Sequence, residues 1–99
     1  MEMYNPPHPG RMIKDALPEI PMTVSQFADH IGVSRVTLSR IINGRARITA
    51  DMSIKLSQAF GQPSGDIWFK MQNTHDFWHA AHAKRKKIRP IKIKIPTAA

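Results

Sequence analysis

The chain contains no cysteine among its 99 residues. That absence excludes a disulfide framework and any cysteine-based zinc site, and it suits a reducing compartment. No apolar run approaches the length of a membrane span. The opening residues, Met-Glu-Met-Tyr-Asn-Pro-Pro, do not have the pattern of a signal peptide. The expectation is a cytoplasmic protein that makes no membrane contact. There is no internal repeat, no phosphate-cradling glycine loop and no nucleophile–base constellation. An enzyme is therefore not expected, and neither is a cofactor. A chain of this length makes one domain with one modest core.

Acidic residues are scarce and unevenly placed. The chain has seven Asp and Glu against fifteen Lys and Arg, a net charge of +8. Seven of the basic residues lie between Lys84 and Lys94, with no acid among them. Residues 1 to 83 hold eight basic and seven acidic residues, so that part is nearly neutral. Within it, the stretch from His30 to Ala50 carries Arg35, Arg40, Arg45 and Arg47 and no acid. Such segregation is the electrostatic footprint expected where phosphates are met.

The same stretch has a local pattern. Thr23 followed by Gln26 makes a capping box, and Phe27, Ala28 and Ile31 then share one helical face. Gly32 tolerates the left-handed conformation that stops a helix, and Val33 can fill the space under the turn. Ser34 caps a second helix, Leu38 and Ile41 return to the buried side, and Asn43-Gly44 ends it. Arg35, Val36, Thr37, Ser39 and Arg40 do not fit the buried stripe. Arginine can bond a guanine edge in bidentate fashion, serine and threonine can bond several edges, and a valine methyl can touch a thymine methyl. Residues 23–44 thus read as a helix-turn-helix whose second helix enters a DNA major groove.

The candidate DNA contacts are Arg35, Val36, Thr37, Ser39 and Arg40, with Asn43 at the helix end. Arg45 and Arg47 follow on a loop that can grip phosphates, and Thr49 caps the next helix, whose N-terminus can hold one. A first helix is expected from about Pro9 to Leu17, with Met12, Ile13, Ala16 and Leu17 apolar and Pro18 and Pro21 ending it. Thr49 starts a fourth helix with Met52, Ile54, Leu56, Ala59 and Phe60 inward and Gly61 as its stop. Ser64 is the expected cap of a fifth, followed by a further helical stretch from Asn73 to about Ala83. The aromatics Trp68, Phe69, Phe77 and Trp78 are candidates for a dimer interface, with core closure as the equal alternative.

Histidines and the tail complete the inventory. His8, between prolines, reads as a packing or surface residue. His75, His79 and His82 share a helical face but lack the companions of a zinc site, so a solvated face is expected and no metal site. After Lys84 to Lys87, isoleucines alternate with basic residues to Ile95, a strand-like pattern that needs a partner. The alternative is a disordered basic arm that holds DNA or another polyanion; in the free protein disorder is expected, with ordering on a partner. The domain reading is a helix-turn-helix domain over 1–83 and a basic tail over 84–99.

Four stretches together resemble one family. They are Asn-Pro-Pro-His-Pro-Gly at 5–10, Gly-Val-Ser-Arg-Val-Thr-Leu-Ser-Arg-Ile-Ile-Asn-Gly at 32–44, Ile-Thr-Ala-Asp-Met at 48–52, and Ile-Trp-Phe-Lys-Met-Gln-Asn-Thr-His-Asp-Phe-Trp at 67–78. Over about residues 5 to 80 the chain resembles the HigA-type antitoxins, Xre/Cro-like halves of type II toxin–antitoxin modules. The resemblance implies an all-α, five-helix repressor-like fold that forms a homodimer. It implies binding to an inverted-repeat operator in the chain's own promoter, and a partner toxin of the RelE-like, HigB-like kind that cuts mRNA. A toxin that handles RNA is expected to be basic, so like charges disfavour the tail as its docking surface. A stand-alone Xre-type repressor with no toxin is the alternative.

Overall fold

A computed structural model describes residues 5–94 and shows five α-helices, α1 Gly10–Ala16, α2 Val24–Ile31, α3 Arg35–Ile42, α4 Ala50–Ala59 and α5 Ile67–His82. The described residues contain no strand. The expected start and stop signals account for α2 and α3. Thr23 and Gln26 form the reciprocal capping box, with the Gln26 N–H donating to Thr23 Oγ1 at 3.1 Å and the Thr23 N–H to Gln26 Oε1 at 2.9 Å. Gly32 stops α2 at φ 76°, where a side chain is disfavoured. Ser34 Oγ and Thr49 Oγ1 accept the amides of Thr37 and Met52, capping α3 and α4.

One core joins these elements. Phe27, Ala28 and Ile31 of α2 meet Leu38, Ile41 and Ile42 of α3, with Ile13 of α1, Ile48, and Met52 and Leu56 of α4 closing around them. Leu38 and Leu56 are fully buried. Each such side chain contributes about 1.5–3 kcal/mol by leaving water. Phe27, Phe60 and Trp68 run from α2 to α5 as a chain of ring contacts at 5.6 and 5.7 Å. The Trp68 indole N–H is satisfied by Gln62 Oε1 at 2.7 Å.

Several expectations change. The apolar sides of α1 and α4 are narrower than expected: Met12 and Ile54 are exposed at 50% and 48%, and Ala59 is exposed too. In α4 the buried side includes Ser53 and Ser57 instead. A small hydroxyl fits where α4 crosses the start of α5, and Ser53 Oγ donates to the Gly65 carbonyl at 2.7 Å and accepts the Phe69 N–H at 3.0 Å. Ser64 does not cap α5. The cap position falls at Asp66, without a side-chain cap bond, and the Ser64 hydroxyl donates to the Asp66 carboxylate instead. The two stretches expected at the C-terminal end are one continuous helix, because no proline or glycine interrupts 67–82. Leu17 leaves α1 for a 3-10 turn, Leu17–Glu19, that contains Pro18. Residues 84–94 are exposed and have no regular structure, and their alternating isoleucines pair with no strand among the described residues. Ile95 lies outside the described residues.

Helix α1 crosses the end of α3 at Gly10. A Cβ built on Gly10 would lie 1.8 Å from the Ile41 carbonyl oxygen, which is backbone and cannot rotate away. Gly10→Ala must therefore push α1 off α3, at a cost of about 1–3 kcal/mol or more from overpacking. Thermal unfolding by circular dichroism is expected to show a clear drop in midpoint for Gly10→Ala, and an unchanged midpoint would refute this close crossing.

Candidate nucleic-acid interface

The outer face of α3 is built by its buried one. Leu38, Ile41 and Ile42 point inward, so the residues between them must point out. Arg35, Val36, Thr37 and Arg40 are exposed and Ser39 is half-buried. Val36 is 70% exposed, which leaves a β-branched apolar side chain in water at a helix N-terminus. Thr37 is held in place, since its hydroxyl oxygen accepts the Ser34 hydroxyl at 2.8 Å and its own proton is left to point elsewhere.

Asn43 is less available than its position suggests. Its side-chain amide donates back to the Ser39 carbonyl at 2.8 Å, and its Oδ1 accepts Lys14 Nζ at 3.3 Å. It serves as the C-terminal cap of α3. Lys14, and Arg11 on the same groove beside Asn43, are cations that the sequence reading passed over. Their spacing of three on the polar side of α1 was the available signal.

The loop after α3 is anchored at both ends. The Arg45 and Ala46 amides both donate to the Arg40 carbonyl, at 2.8 and 3.2 Å. The Ile48 amide donates to Gln72 Oε1 of α5 at 2.8 Å. Arg45 is exposed between these anchors. Arg47 is exposed too, yet it is engaged within the chain: its Nε and Nη2 donate to Asp76 Oδ2 at 3.1 and 3.0 Å, and Nη2 to Asn73 Oδ1 at 3.2 Å. Its guanidinium carbon lies 5.9 Å from the Phe69 ring centre. Partial burial pulls the Asp76 carboxyl upward, but the Gln72 and Arg47 hydrogen bonds outweigh it and hold the group below the usual carboxylate range. The Thr49 side chain is likewise engaged, as the cap of α4.

This geometry has counterparts. A helix-turn-helix family model matches residues 22–67. Virulence-associated protein A′ of Dichelobacter nodosus is 37% identical over 88% of this chain and 76% of its own length. Antitoxin HigA-1 of Vibrio cholerae is 30% identical over 91% of this chain and 88% of its own. The solved structure of Pseudomonas aeruginosa antitoxin HigA with the higBA promoter superposes with a TM-score of 0.69, at 29% identity over 76% of this chain and 82% of that one. The chain belongs to the HigA-type family of Xre-like helix-turn-helix proteins. This is a family of DNA-binding proteins and not of enzymes.

In this HigA-type chain the four α5 aromatics separate. Trp68 is 5% exposed and lies in the chain's own core, which removes it from any dimer surface. Phe69 is half-buried under Arg47, and Trp78 is half-buried and stacked on His82 at 3.9 Å. Phe77 is the exposed one. The reason is helical phase: with 3.6 residues per turn, Trp68 and Gln72 face inward while Phe77 faces away. Among the described residues there is no His, Asp or Glu cluster suited to a metal ion. His75 and His82 instead direct a ring nitrogen to the Pro6 and Trp78 carbonyls, at 2.9 and 2.8 Å.

His8 ties the N-terminal segment to this face. Its Nδ1 accepts the Gly10 N–H at 3.0 Å, its ring lies 5.1 Å from that of His75, and it hydrogen-bonds to the Ala46 backbone. Burial, and next the neighbouring His75, lower its pKa from the ordinary value, against the opposing pulls of the Ala46 bond and Asp76. The folded state thus prefers the neutral ring. The stabilisation is present above the unfolded value of about 6.5 and is lost as pH falls through the folded value. Wild type is expected to lose thermal stability on acidification below about pH 6.5 more steeply than His8→Asn; parallel profiles would mean that His8 does not titrate against folding.

Proposed function

We propose that the chain is a cytoplasmic antitoxin that binds inverted-repeat operator DNA as a homodimer, represses its own operon, and neutralises a RelE-like, HigB-like mRNA-cleaving toxin. The observation that carries this reading is the outer face of α3. It presents Arg35, Val36, Thr37 and Arg40 from a capped helix in an acid-free stretch, and likeness to a HigA solved with its promoter supports it. In the dimer two copies of α3 enter successive major grooves, about 34 Å apart. Arg35, Val36, Thr37, Ser39 and Arg40 face base edges. Asn43 fixes the helix end, while Arg45 and the Thr49-capped start of α4 meet phosphates. The exposed Phe77, with Trp78 beside it, supplies the dimer surface. Within this reading residues 1–83 are the DNA-binding domain and 84–99 an appended basic arm.

Fluorescence anisotropy on the DNA upstream of the chain's own coding sequence, against scrambled DNA, tests the reading helix. Arg35→Ala and Arg40→Ala are each expected to cost about 1–3 kcal/mol on the operator and to relax base preference. Equal losses on both DNAs would show that neither arginine reads sequence.

Affinity capture from the native host, followed by mass spectrometry, tests the antitoxin half. A stoichiometric small basic protein encoded next to this chain is the expected co-purifying partner. A chain that binds its operator with no such partner is a stand-alone repressor.

A further inference from the structure

Arg47 follows the reading helix in sequence, which made it a natural phosphate ligand. Its surroundings assign it another task. Three of its N–H donors are directed at Asp76 and Asn73 of α5, and its guanidinium lies against Phe69 of the same helix. The other Asp76 oxygen, Oδ1, accepts the Gln72 side-chain N–H at 2.9 Å. Gln72 is 1% exposed, and its own Oε1 holds the amide of the fully buried Ile48. The bonds therefore run without a break from the Ile48 backbone through Gln72 and Asp76 to the Arg47 side chain. The loop is gripped twice by α5 within two residues, while Arg40 holds its other end.

We propose that Gln72, Asp76 and Arg47 form a strut that sets the DNA-side loop, so that Arg47 is a positioning residue and Arg45 the loop's phosphate ligand. Turning Arg47 out to a phosphate would leave the Asp76 carboxylate without its cation and loosen the Gln72 amide that satisfies buried Ile48. The strut also makes α5 part of DNA recognition without touching DNA. A partner that shifts α5 by a fraction of an ångström moves the loop with it. This inference rests on the DNA-binding reading for its effect on affinity, but not for the strut itself.

The decisive variant is Asp76→Asn, which keeps the shape and removes one negative charge. Simple electrostatics then favours tighter DNA binding, and so does release of Arg47 to phosphates. A strut requires the reverse. For the full chain on its upstream duplex, Asp76→Asn and Arg47→Ala are each expected to weaken binding about three- to tenfold, the scale of one ordinary hydrogen bond lost. The double variant is expected to be no worse than the poorer single one, as coupled partners require. The salt dependence of Arg47→Ala stays that of wild type, while Arg45→Ala lowers the slope by about 0.9, one phosphate contact. Tighter binding by Asp76→Asn, no change in either single variant, or a slope lowered by about 0.9 in Arg47→Ala would overturn the assignment. Hydrogen exchange of the Ile48 amide without DNA is the independent readout. It is expected to quicken in Asp76→Asn by several-fold more than the core amides of α2 and α3, and unaltered protection would refute the strut whatever the DNA result. Wild type that fails to bind its upstream duplex, with the Ile48 amide still responding, would count against the DNA-binding reading alone.

Discussion

The architecture depends on burying one side of α3 completely. Leu38 and Ile41 are almost inaccessible, and α1, α2 and α4 are arranged to cover them. A helix of eight residues has no stability of its own in water, so its caps and its apolar face must hold it. Once Leu38 and Ile41 are fixed, rotation about the helix axis is no longer free. The polar face then points outward with a defined direction, which a surface that reads bases needs. Gly10 belongs to the same constraint, because the crossing of α1 leaves no room for a side chain over the Ile41 carbonyl.

Polar contacts do a second job that hydrophobic packing cannot. The α3–α4 loop carries few apolar side chains beyond Ala46 and Ile48, and its direction comes from backbone amides held by Arg40 and Gln72. A buried amide without a partner costs about 1–3 kcal/mol, so the Gln72 bond is a condition of burying Ile48. Asp76 and Arg47 extend that bond to the surface. Their ion pair is half-exposed and worth little in isolation. Its significance is geometric, since it joins α5 to the loop.

Much of this was legible beforehand because its causes are local. The capping box at Thr23 and Gln26, the Gly32 stop and the caps at Ser34 and Thr49 lie within four residues of what they act on, and all formed as expected. The alternating isoleucines of the tail were also plain to see, but a strand exists only with a neighbour, and none lies alongside residues 84–94. Ser53, Ser57 and Gln72 were missed for the opposite reason. Polar residues are ordinarily placed outside, and only contact between α4 and α5 shows the hydroxyl and amide bonds that let Ser53 and Gln72 go in.

The residues alone determined the helix-turn-helix, the outward set on α3 and the charge segregation, because each follows from spacing, caps and composition along one short stretch. Tertiary structure decided which of those side chains are free to meet another molecule. Arg45 and Arg47 are indistinguishable in the sequence, two exposed arginines on one loop. Asp76 lies twenty-nine positions beyond Arg47 and reaches it only when α5 folds back against the loop, leaving one arginine displayed and the other held. Trp68 and Phe77 differ in the same way, one inside and one outside, through the phase of a helix whose buried side only its neighbours define.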